Sequence, residues 1–178
     1  IGSEYGAILQ KLAFDSGQSE FQNLDTYNAV LKFYYFQVHL TPESGETAFK
    51  ALNDVVTKDP ESGLALALFA AMHATSYFLD LSDAKTSFEM LGTLSEKAGR
   101  LAPNSLTVKT ILAVKCFAYN DKERFLQLAG ECLSISQNSS LRTGISAFYI
   151  SLYGDWERGK KLLDKLMYQN IGYPLYFH

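Results

Sequence analysis

"SGLALALFAAMHATSYFL", residues 62–79, decides the fold. Its opening alternates Leu and Ala, and over five or six residues that pattern also suits a strand. Length and composition separate the two readings. The stretch has no Pro, and no Gly after Gly63, and it is rich in Ala and Leu, so it reads as one helix; strands would need a turn that is not there. Such a helix is apolar on more than one face and must be buried between neighbours.

Working outward, the breaks on either side carry helix-start signals. Thr41 precedes Pro42 and Glu43, and Asp59 precedes Pro60 and Glu61, so each group offers an N-cap, a preset φ and a carboxylate beside the positive helix end. Asp59 is read as the cap and Pro60 as a first-turn proline. Asp83, Asp121 and Asp155 follow further breaks at Ser82, Asn120 and Gly154. The predicted helices span about 3–14, 24–39, 43–58, 62–79, 83–101, 105–119, 121–136, 139–153 and 155–169. No strand remains, and the fold class is all-α. "DSGQSE" at 15–20 reads as a flexible connection after a first amphipathic helix with Tyr5, Ile8, Leu9 and Leu12 on one face. Residues 1–23 are therefore read as a helix and linker ending a preceding domain. Residues 24–178 form the main domain, and a start at Ile1 without a basic leader reads as a piece of a longer protein.

A chain of 178 residues can bury roughly 70% of its unfolded surface in one domain. Apolar residues make up 47%, while only four Pro and twelve Gly leave few turns for a β-rich fold. A net charge of −3 and a pI near 5.6 argue against direct nucleic-acid binding. The most apolar run, "LALALFAAM", stops at His73, far short of the roughly 20 residues that span a bilayer, so no membrane insertion is expected. Cys116 and Cys132 fall on opposite helices of one hairpin, about 10 Å apart in height at ~1.5 Å per residue, beyond disulfide reach. Cysteines too far apart to pair favour a reducing compartment, hence a cytoplasmic location, with the periplasm as the alternative.

Helices of this length with short breaks invite a test for a fixed period. Pro60 and Pro103 end comparable helices, and Gln137 and Ile171 follow Pro103 at steps of 34 residues, the step from Pro60 to Pro103 being longer by nine. Ten residues after the first three marks stand Ala70, Ala113 and Ala147, small where two helices meet. Ala48 and Gly159 are the matching small positions on second helices, while Leu91 and Phe125 depart from the pattern.

On this register the chain resembles tetratricopeptide repeats over about residues 24–171. "GDWERGKKLLDKL", 154–166, is the best second-helix match. Residues 25–74, with an aromatic-rich first helix, a "TPE" start and a "DP" end to the second, are similar to the first repeat in bacterial regulators that join a winged-helix or class III cyclase domain to a repeat tail. The register departs from the family where its tryptophan-like position falls on Leu66, Lys109 and Thr143. The resemblance implies a right-handed solenoid of about four antiparallel helical hairpins plus the N-terminal helix, cut short at its C-terminal end.

No Gly-rich phosphate loop, nucleophile elbow or His-Glu-x-x-His occurs, and His39, His73 and His178 have no Cys or carboxylate at ligand spacing. His73 is read as a hydrogen-bonded core residue, and the carboxylates at helix starts as caps. No catalytic residue, metal or cofactor is expected, and the chain is read as not an enzyme. The resemblance places function on the concave face of the first helices, where the register puts Tyr27, Val30, Tyr34, Leu64, Ala67, Ala71, Thr110, Val114, Phe117, Leu141, Phe148 and Leu152. This apolar, aromatic lining suits a protein or peptide partner, such as an apolar helix, or another domain of the same chain, and is compatible with a homo-oligomer. It implies a protein-binding regulatory domain of a bacterial transcription regulator or signalling protein; a small-molecule-sensing domain is the alternative.

Overall fold

The segment 62–79 does form a helix, and its burial organises what surrounds it. The computed structural model describes residues 24–80, 83–135, 140–153 and 155–169, and among them every regular element is α-helical. In chain order these are α1 (Leu24–His39), α2 (Pro42–Lys58), α3 (Gly63–Phe78), α4 (Ala84–Leu101), α5 (Leu106–Ala118), α6 (Lys122–Ile135), α7 (Ser140–Leu152) and α8 (Trp156–Gln169). Each end lies within one residue of the predicted bound. The expected helix at 3–14 lies outside the described residues.

The chain divides into two compact units, residues 1–111 and 112–178, with the division inside α5. In the first unit, α3 packs against α1, α2 and α4. Every residue from Gly63 to Ala74 is buried, as expected of a helix apolar all round. Neighbouring helices run antiparallel. Asp25 at the start of α1 pairs with Lys58 at the end of α2 at 2.9 Å, while Gly45 near the start of α2 faces the Phe36 ring near the end of α1. Gly63 at the start of α3 lies against Leu101 and Ala102 at the end of α4, so close that an added Cβ would sit 2.7 Å from the Ala102 Cβ. The apolar stripe of α2, Ala48, Leu52 and Val55, and that of α4, Leu91, Leu94 and Ala98, are buried. Each fully buried Leu or Val contributes about 1.5–3 kcal/mol.

The second unit is built around Ala113, Cys116, Phe125, Ala129 and Ile150, with Phe117, Tyr149, Tyr153 and Leu162 packed on them. The rings of Phe117, Tyr149 and Tyr153 meet at 4.6 Å and 4.9 Å. Ala147 is fully buried, and Gly159 lies against it where α7 and α8 approach. Cys116 and Cys132 are both buried and are not joined in a disulfide, in line with their expected separation along the hairpin.

The period is visible in the element bounds and in the caps. The start and end of α5 recur in α7, and those of α6 in α8, all 34 residues on. Asp121 accepts from the Arg124 N–H at 3.2 Å, and Asp155 accepts from the Arg158 N–H at 3.2 Å. Just before them, the Asp121 N–H donates to the Cys116 carbonyl at 2.8 Å and the Asp155 N–H to the Ile150 carbonyl at 3.3 Å. The longer step also recurs. Ser62 and Ser105, 43 apart, each accept from the N–H three residues on at 3.4 Å. Their own N–H groups donate three residues back, to Asp59 at 3.3 Å and Ala102 at 3.0 Å. Leu40, Asp80 and Asn120, following α1, α3 and α5, all take positive φ, the conformation that ends a helix by reversing its chain.

One capping expectation is corrected. Thr41 caps α2 as predicted, its hydroxyl accepting from the Ser44 N–H at 3.3 Å with Pro42 opening the helix. Asp59 instead closes α2, with its N–H donating to the Val55 carbonyl at 2.8 Å, and Ser62 caps α3. Pro60 therefore lies in the turn, not in the first turn of a helix. The Asp59 carboxylate accepts from the Glu61 N–H at 3.3 Å, tightening that turn.

Two stability outcomes follow. A Cβ on Gly159 would sit 2.6 Å from the Ala147 carbonyl oxygen and 2.8 Å from the Ser151 nitrogen, backbone atoms that cannot step aside. Gly159→Val should lower stability by about 2 kcal/mol or more in urea unfolding, through overpacking and strain. Asp121→Ala and Asp155→Ala should each cost about 1 kcal/mol, by equal amounts because their caps are equivalent.

Candidate functional site

The residues expected on the groove fall into two groups. In the first unit, Val30, Leu64, Ala67, Ala71 and Thr110 are buried. The Thr110 hydroxyl donates to the Leu106 carbonyl at 2.8 Å, so its polar atom is used inside its own helix. Tyr34 is half-buried with its ring against Phe33, and Tyr27, 37% exposed, offers the most surface of this group. In the second unit Val114 is buried and Phe117 is half-buried in the aromatic cluster. Phe148 and Leu152 stand out at 39% and 55% exposure. The side chain of Leu141 lies outside the described residues.

Phe148 and Leu152 are four residues apart and so share one face of α7. Trp156, which opens α8, is 60% exposed. In the sequence Trp156 reads only as part of the second-helix match at 154–166, not as surface. The signal was present: 34 residues earlier stands Lys122, the first residue of α6, at the same place after a capping Asp. A residue in register with an exposed lysine is itself due to be exposed.

Polar groups near this face are engaged in holding the fold. The Tyr153 hydroxyl donates toward the Cys116 and Phe117 carbonyls at 3.4 Å and 3.3 Å, at the end of α5. The Lys122 ammonium donates to the Tyr153 carbonyl at 3.1 Å. Burial, then the neighbouring Cys116 and Asp121, raises the Tyr153 phenol above its ordinary pKa, and burial alone pushes the Tyr149 phenol well up. Both stay protonated at neutral pH. Asp83 accepts from the hydroxyl of Thr86 and from its N–H at 3.0 Å, contacts that hold its carboxyl below the usual range, as befits a cap.

Among the histidines, His39 is exposed with its ring 4.2 Å from that of Tyr35. His178 lies outside the described residues. His73 is in the core as expected, but among the described residues neither of its ring nitrogens has a hydrogen-bond partner. Among the described residues no three His, Cys, Asp or Glu side chains are grouped to hold a metal ion, and no helix is long and apolar enough to cross a membrane. Comparison with known proteins finds no matching family model, no matching curated protein and no matching solved structure.

Proposed function

We propose that the chain is a non-catalytic helical-repeat domain, of the tetratricopeptide-repeat type, that binds an apolar helix or peptide of a protein partner as the regulatory part of a larger cytoplasmic bacterial signalling or transcription protein. The repeat reading is supported by the 34-residue recurrence of helix bounds and caps from α5 and α6 to α7 and α8. The binding reading is carried by the exposure of Phe148, Leu152 and Trp156. Large apolar and aromatic side chains left in water are what a partner's apolar side chains bury against, and tryptophan is prominent among residues that dominate interface energies. Tyr27 offers a smaller contact of the same chemistry on the first unit. The buried members of the expected lining support the hairpins themselves and are not assigned to contact.

Crosslinking and capture with the wild-type chain, repeated with Leu152→Lys and Trp156→Lys, tests this. The wild type should retain a specific protein, and each variant should bind it about thirtyfold more weakly, the effect of losing a hot spot worth about 2 kcal/mol. Both substitutions are at exposed positions, so urea unfolding should move by no more than about 0.5 kcal/mol. Capture that survives both substitutions unchanged, or no capture by the wild type under any condition, overturns the proposal.

A further inference from the structure

His73 is the one ionisable side chain in the unbroken buried run of α3, Gly63 to Ala74. Its ring meets Phe49 of α2 at 5.4 Å and Phe69 of its own helix at 4.9 Å, and the two phenyl rings meet each other at 4.9 Å. At 7% exposure, both Nδ1 and Nε2 are without a hydrogen-bond partner among the described residues. A neutral imidazole wants one donor and one acceptor partner; a protonated one wants two acceptors and adds a charge. The nearby polar pair does not serve it: Gln37 of α1 donates to the Thr75 hydroxyl at 3.5 Å, and that hydroxyl donates to the Ala71 carbonyl at 3.0 Å.

Nor, among the described residues, does any charge shift His73 back. On the three helices packed against α3, Asp25 and Lys32 of α1, Glu46 and Lys50 of α2, and Lys85 and Glu89 of α4 are all exposed. Burial is the sole cause that moves the His73 pKa, and it lowers it from 6.5. Attraction between an imidazolium and the two phenyl rings recovers only part of the hydration that the ion gives up.

We infer that His73 is an acid-sensitive latch on the packing of α2 against α3: taking up a proton drives the imidazole off the Phe49 and Phe69 rings and opens that contact. The inference does not depend on what the chain binds. The direction is set by linkage. The folded state holds the histidine neutral more strongly than the unfolded state does, so the stabilisation is complete above pH 6.5 and is lost as pH falls from 6.5 toward the lowered folded-state value. Each pH unit within that window favours opening about tenfold.

Amide hydrogen exchange of residues 42–78, corrected for the intrinsic pH dependence of exchange, tests it on the whole chain. Between pH 7.5 and pH 5.0 the wild type should show more opening of α2 and α3, up to about thirtyfold, the ceiling being set by the distance from 6.5 to 5.0. His73→Leu and His73→Phe, which keep an apolar side chain against the two rings, should lose that added response. A parallel response in wild type and variants overturns the latch. Should neither variant fold, a titration of the His73 ring proton by NMR decides, assigned with His39→Gln and His178→Gln. A midpoint below 6.5 accompanied by opening supports the latch, and a midpoint at or above 6.5 with α2 and α3 still closed overturns it.

Discussion

The first unit depends on one constraint, the need to keep α3 out of water on every side. A helix with a single apolar stripe can rest on a neighbour and expose its back. Gly63 to Ala74 has no polar back, so three helices must enclose it, and α1, α2 and α4 do so. Its composition makes this feasible. Alanine at 65, 67, 70, 71 and 74 lets neighbouring backbones come close, and leucine, phenylalanine and methionine between them supply the buried area. The same logic explains Gly63, where the end of α4 leaves no room for a side chain.

Short connections make that enclosure repeatable. Between α2 and α3, and again between α4 and α5, the chain reverses within four residues, and no long loop has to be ordered. Each reversal satisfies its own backbone: the closing N–H groups of Asp59 and Ala102 donate four residues back, and Ser62 and Ser105 accept from the new helix. Because the polar groups are settled locally, the long-range contacts are free to be apolar. The rings of Phe49 and Phe69 in one unit and of Phe117, Tyr149 and Tyr153 in the other fill those contacts.

Most of the local structure was legible in the sequence because it is set by local chemistry. Apolar periodicity, Pro and the capping Asp and Ser residues place helix ends to within a residue, the small residues Ala70 and Ala113 are buried, and Ala147 and Gly159 mark the tight approach of α7 and α8. What was not legible depends on which faces are covered. Ser62 and Asp59 are both good caps, and only the turn geometry assigns the role to Ser62. Leu64, Ala67 and Ala71 share a helix face in the register, but periodicity cannot distinguish a face turned to a groove from one turned to another helix; all three are buried. The missing partners of His73 were likewise invisible, since a histidine in an apolar run reads the same whether or not a hydrogen-bonding group lies across from it.

The 34-residue register within the second unit also bears on why Phe148, Leu152 and Trp156 are there at all. Their counterparts are Val114, Ala118 and Lys122. Val114 is buried, Ala118 is half-buried, and Lys122 is exposed and charged. At each of the three positions the later residue is the larger apolar or aromatic one, and at the first two it is also the more exposed. Packing demands explain the opposite trend, in which bulk goes where the core must be filled and polar groups go where water is met. Exposing a tryptophan where the equivalent position carries lysine gains nothing for folding and risks association with other apolar surfaces. On the proposed function, contact with a partner accounts for the added bulk, since the side chains that fit a solvated helix end worst are those that contribute most once an interface covers them.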